Sequence, residues 1–159
     1  MQKEQEGSAV VDSLSAFGFV ASEVPWPDVE TCAVATREWP GEHGEDAYIS
    51  PVGLTLKAYD LSVEFYYKGE VESAYPAYKT LRDYLIGADG RGAALKIFDP
   101  YWNIGRRRVW AKKIGDPTPA RTNIDEFLSV KVTFHVSDPT TDLTVGLNAR
   151  GEIINLGAV

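Results

Sequence analysis

The chain has one cysteine and two histidines in 159 residues, so several kinds of chemistry are short of material from the start. A lone thiol forms no intramolecular disulfide and builds no multi-cysteine metal site, which fits a reducing compartment. Cys32 lies in the apolar run Thr31-Cys-Ala-Val-Ala-Thr36 and reads as a small buried hydrophobe. No stretch approaches the roughly 18 consecutive apolar residues of a membrane span. The opening Met1-Gln-Lys-Glu-Gln-Glu-Gly7 is charged and leads into no apolar signal-peptide core, so neither export nor anchoring is expected. Positive charge is also scarce. Sixteen Lys and Arg face 23 Asp and Glu, a net charge of −7, which disfavours tight binding to a phosphate backbone.

Nucleophilic catalysis needs a nucleophile beside a base. His43 lies in a Gly-rich acidic loop and His135 on the polar side of a strand, and neither has a nucleophile-elbow or cysteine-protease context. Glu38, Glu42, His43, Glu45 and Asp46 lack the spacing of an EF-hand loop and read as solvated acids. Nothing selects a carboxylate pair for glycoside hydrolysis among the 23 acids. The run Gly87-Ala-Asp-Gly-Arg-Gly92 follows a helix instead of opening one, the wrong order for a phosphate cradle. The expectation is therefore a non-enzymatic protein with no catalytic residue, no cofactor and no metal.

What is present is β-rich. The hydrophobic fraction of 44% and charged fraction of 25% are those of a folded domain, and the length suits one domain with its own core. Residues 1–15 read as a flexible polar lead-in and 16–159 as a single domain. A first strand is expected over Phe17–Val24, ending at Pro25-Trp-Pro27, and a second over Thr31–Trp39. Pro40–Asp46 is a protruding hairpin connection or insertion. From Tyr59 to Lys68 apolar residues alternate strictly: Tyr59, Leu61, Val63, Phe65 and Tyr67 share one face. Leu54 and Leu56 have the opposite parity, which implies a bulge or a strand switch near Lys57-Ala58.

Ser73–Ile86 is the one clear helix, with Ser73 as N-cap, Pro76 in the first turn and Gly87 at the end. Ala74, Tyr75, Tyr78, Leu81 and Leu85 form its apolar stripe. Strands follow over Ala93–Asp99 and Arg106–Ile114. Over Phe127–Val136, Leu128, Val130, Val132, Phe134 and Val136 face one way. A terminal hairpin spans Leu143–Leu147 and Glu152–Leu156. Several strands, one helix and several strands argue α+β: an antiparallel sandwich or barrel-like sheet with the helix packed on it.

Arg106-Arg-Arg108 with Lys112 and Lys113 is the concentrated basic stretch. Simple alternation places Arg106, Arg108, Trp110 and Lys112 on one face. On so acidic a chain this face suits an acidic neighbouring subunit, with Glu42, Glu45 and Asp46 as the favoured counterpart. Tyr66, Tyr101 and Trp102 fall on polar faces or turns, where aromatics mark an interface. A glycan- or ligand-binding sandwich module would use exposed aromatics too, and is the alternative.

Together these segments resemble the tail-tube and distal-tail superfamily of long-tailed phages. The resemblance covers residues 54 to 139: the long strand Leu54–Lys68, the helix Ser73–Ile86, the strand Ala94-Leu-Lys-Ile-Phe-Asp-Pro100, and Val130-Lys-Val-Thr-Phe-His-Val-Ser-Asp-Pro139 closing the unit. It implies a sandwich whose sheets line a ring, usually hexameric, with the helix outside and no catalytic residues. Homo-oligomers and other tail proteins are the implied partners, and the bacterial cytoplasm during assembly, then the virion tail, the implied location. Residues 1–15 and Pro40–Asp46 have no counterpart in that family. Whether the chain would be a tube, distal-tail, terminator or baseplate adaptor component stays open.

Overall fold

The two longest alternating runs pair with each other along their whole length. In a computed structural model describing residues 1–4, 8–27, 29–87 and 93–158, β5 (Tyr59–Glu70) and β9 (Asp125–Val136) form an antiparallel ladder from Tyr59↔Val136 to Glu70↔Asp125. This register sets Leu61 opposite Phe134, Val63 opposite Val132 and Phe65 opposite Val130. All six are at most 3% exposed, so both alternating faces bury the same side. A one-residue slip would turn every one of them to solvent, which is why the register is so strongly specified.

The chain divides into two compact units, Met1–Pro27 with Ala58–Val159, and Asp28–Lys57. The second lies inside the span that composition alone treats as one domain. In the first, the main sheet runs β1 (Gln2–Lys3), β6 (Leu95–Asp99), β7 (Ile104–Ile114), β9, β5, β2 (Phe19–Ala21), with β8 (Thr118–Arg121) also pairing with β9. All pairings are antiparallel. The order is open, with β1 and β2 at its ends, so the β-rich α+β class holds while the sheet is not closed as a barrel. No helix of the described residues is long and apolar enough to cross a membrane.

Helix α2 (Ala74–Ile86) lays Leu81 and Leu85, each 1% exposed, into the core with Val63, Phe65, Val132 and Phe134. Tyr75, expected in that stripe, is exposed instead, its ring centroid 6.4 Å from that of Tyr78. The Ser73 hydroxyl does not cap the helix. It donates to the Glu70 carbonyl, and the Glu126 carboxylate from β9 accepts the Ala74 N–H at 3.0 Å. The cap is thus tertiary, satisfying a first-turn donor from a neighbouring strand.

Two expectations near the N-terminus change. Residues 13–17, split between the lead-in and the first strand, form a short helix α1 (Ser13–Phe17). Asp12 caps it by accepting the Ser15 N–H, and Gly18 ends it at φ 74°. A side chain at Gly18 would also meet the Tyr67 ring at 2.9 Å. Gln2 and Lys3 pair with Lys96 and Leu95 in the sheet. Of the two causes expected for the parity change at Lys57-Ala58, the structure shows the strand switch: Leu56 bridges Thr31 within the other unit, and β5 begins at Tyr59 and pairs with β9.

At the C-terminus β10 (Leu143–Leu147) and β11 (Ile153–Ala158) form the expected hairpin. It lies against β7 at Gly105, where a Cβ would sit 2.9 Å from the Leu143 Cβ and 3.0 Å from the Phe98 ring. Only a residue without a side chain admits that approach. The turn at 88–92 lies outside the described residues.

The unit Asp28–Lys57 holds one hairpin, β3 (Ala35–Arg37) with β4 (Asp46–Tyr48). The strand expected over Thr31–Trp39 shrinks to three residues. Pro40–Asp46 is its connection, as composition suggested, and the Trp39 indole N–H donates to Asp46 at 2.9 Å. Cys32 is only half-buried, because no core forms around it.

Candidate functional site

The outer face of the main sheet carries a row that crosses three strands. Asp60 on β5, His135 on β9 and Trp110 on β7 stand directly opposite one another in the ladder. The Asp60 carboxylate meets the His135 Nδ1 at 2.7 Å and accepts from the Lys112 ammonium at 2.5 Å. Trp110 packs on the imidazole, with ring centroids 4.6 Å apart and planes tilted by 46°. Hydrogen bonds from Lys112 and then His135 hold the Asp60 carboxyl below its ordinary range, against slight desolvation. Below this row Ser62 and Thr133 share a hydrogen bond at 3.0 Å.

A carboxylate that orients a histidine is two-thirds of a catalytic triad. Here the pair lies on an open sheet face, with Asp60 exposed, and among the described residues no hydroxyl or thiol hydrogen-bonds to the second ring nitrogen. No cluster of three or more His, Cys, Asp or Glu able to hold a metal occurs among the described residues. The chemistry such a row does support is binding: a half-exposed indole beside fixed charges. Asp60 was not legible as part of it, because only its parity on the polar side of β5 was a signal, shared with Ser62 and Glu64.

The basic stretch divides between the two faces. Leu95 pairs with Val109 but Ile97 pairs with Arg106, so three steps of β7 oppose two of β6. Arg108 absorbs the extra residue at φ 52°. Leu95 and Ile97 share the buried face, which puts Arg106 on the side of Val109 and opposite to Trp110. The common face expected for Arg106, Arg108, Trp110 and Lys112 is therefore broken by this bulge. Arg106 pairs with Asp142, Arg107 with Asp138 at 2.7 Å, and Lys112 with Asp60. Arg108 and Lys113 are exposed and make no ion pair with a described residue.

Asp138, before Pro139, is buried and organises the turn after β9. Its two oxygens accept from Arg107, from both the N–H and hydroxyl of Thr140, and from both the N–H and hydroxyl of Thr141. Burial works to raise its pKa, and the bonds from Arg107, Thr141 and Thr140 more than offset that, holding it far below the usual carboxylate range.

The unit Asp28–Lys57 displays several large apolar side chains to solvent. Val29, Trp39, Tyr48, Ile49, Val52 and Leu54 are all more than 40% exposed, and no described residue of 29–57 is buried. Glu42, Glu45 and Asp46 are exposed at its hairpin connection, and Arg37 stacks over Trp39 at 3.7 Å. The sequence shows each of these residues as apolar or acidic. It does not show that they enclose nothing.

No protein-family model matches this chain, and no curated protein or solved structure matches it significantly.

Proposed function

We propose that this chain is a non-enzymatic assembly protein that self-associates, in the manner of a phage or prophage tail component. One observation carries the reading. A unit of about thirty residues with no buried residue among those described and six large exposed apolar side chains has too little core to hold itself together. Patches of that kind on a β-rich domain mark surfaces that become buried in a complex. The remaining charge supports a head-to-tail contact, which closes into a ring when the rotation permits. Glu42, Glu45 and Asp46 are exposed on the one unit, Arg108 and Lys113 on the other, and the pair is a contact between neighbouring copies. Arg106 and Lys112 are engaged within the chain and support that contact only indirectly.

Light scattering of the full chain over a range of concentrations tests this. The expected result is a defined oligomer that reverts to monomer in Ile49→Asp/Val52→Asp/Leu54→Asp, a variant that touches no core. A chain monomeric at every concentration overturns the reading.

One observation favours a second reading, a glycan-binding module: the Asp60–His135–Trp110 row joins an exposed indole face to fixed hydrogen-bonding groups. Monomers that bind an oligosaccharide, and lose it on Trp110→Ala, would put this reading ahead.

A further inference from the structure

A concave surface adjoins the core face of the main sheet. Between α1 with β2 on one side and the turn after β6 on the other lies a groove of about 690 Å³, within the range of ligand sites. Val63, Phe65 and Phe134, each at most 3% exposed, lie beneath it, and Leu14, more than half exposed, stands on one wall. The opposite lip is Tyr101, 84% exposed, and Trp102, 51% exposed, set edge to face with centroids 5.3 Å apart.

That lip is a held structure. Asp99 is buried; its Oδ1 accepts the Tyr101 N–H at 2.9 Å and its Oδ2 the Trp26 indole N–H at 3.3 Å. A buried carboxylate thus fixes a turn whose two aromatic side chains point away from any core, and the fold gains nothing from their exposure. Aromatics displayed rigidly over an apolar floor are the usual anchors of an interface.

Charge selects the occupant. Asp12 and Glu23 line the groove with Asp99, and no Lys, Arg or His does among the described residues. The Met1 amine at its end is turned to the Val11 carbonyl at 2.8 Å. Burial, opposed by Asp12, lowers its pKa to about 6, so it is largely neutral at pH 7. The chain's own exposed hairpin is a poor fit, since it carries Glu38, Glu42, Glu45 and Asp46 among its apolar residues. We propose that the groove binds an extended segment of another protein in which apolar side chains alternate with Lys or Arg. The apolar side chains pack between the exposed Tyr101–Trp102 lip and Leu14, and the cations meet Glu23 and Asp12. The inference does not depend on ring formation.

Fluorescence anisotropy of the full chain with a labelled Lys-Leu-Lys-Phe-Lys-Leu peptide tests it, against Glu-Leu-Glu-Phe-Glu-Leu and a peptide of this chain's residues 46–57. The basic peptide should bind at least about tenfold more tightly than either control. Tyr101→Ala/Trp102→Ala, at exposed sites, should weaken it about tenfold, and Glu23→Gln should weaken it less while flattening its salt dependence. Equal binding by the double variant would show charge attraction alone and overturn the proposal. An acidic or 46–57 peptide binding as tightly would overturn it as well, as would no binding at millimolar peptide.

Discussion

Gln2 and Leu156 stand 154 positions apart and are joined through a buried hydrogen bond, the Leu156 N–H donating to the Gln2 Oε1 at 3.1 Å. Gln2 also donates from Nε2 to the Ser8 carbonyl at 2.6 Å, and Lys96, its partner in the β1–β6 ladder, donates to the Leu156 carbonyl at 2.5 Å. One side chain therefore ties the N-terminal strand to the C-terminal hairpin. Gln2→Ala leaves a buried N–H without a partner and should cost about 1–3 kcal/mol in urea unfolding. Loss of protection of the Leu156 amide in hydrogen exchange would accompany it; unchanged protection would show that the clip is not formed.

Phe65 and Phe134 meet edge to face across the β5–β9 ladder, centroids 6.4 Å apart, beneath the groove. Phe134→Ala removes a side chain that is 1% exposed and should cost about 3–5 kcal/mol. A cost under about 1 kcal/mol, with an unchanged denaturant slope, would mean that this floor is not packed as described.

The Glu126 cap of α2 gives a separable test. Glu126→Ala should destabilise by about 1 kcal/mol, and Ser73→Ala by less, because Ser73 makes no cap bond. The reverse order would restore the local N-cap that the sequence suggests.

Asp138 makes stability depend on acid pH. Its folded pKa is depressed relative to about 3.9 in an unfolded chain. The unfolded state therefore takes up protons first as pH falls, and the contribution present above about pH 4 is lost below it. Asp138→Asn should cost about 2 kcal/mol at pH 7, with the gap to the parent chain closing as pH falls toward 2. Thermal or urea unfolding of both chains between pH 2 and 7 checks this, and a gap independent of pH would rule out the Arg107–Asp138 interaction as its source.

The exposed cluster should behave differently. Coupling between Asp60→Ala and Lys112→Ala in a double-mutant cycle is expected below about 1 kcal/mol and should shrink in high salt, since both groups are largely solvated. A larger, salt-insensitive coupling would mark the row as a desolvated site.

Alternation is a property of neighbouring residues, so the buried faces of β5 and β9, the position of α2 and the terminal hairpin could be read from the chain alone. Leu61, Val63, Phe65, Val130, Val132 and Phe134 have nowhere else to go once a strand forms, because a period of two sends them all to one side. Which residues stand opposite them is a different matter, since register depends on partners about seventy positions away. The meeting of Asp60 with His135, and of both with Trp110, exists only through that register. The bulge at Arg108 moved Arg106 off the face of Trp110 because it arises from the mismatch between β6 and β7, and no local pattern in Arg106–Ile114 encodes it. The exposed apolar residues of 29–57 look in sequence like any strand, and only their failure to enclose one another distinguishes them. Local sequence decides which way a side chain points; what it meets there is decided by how distant segments pack.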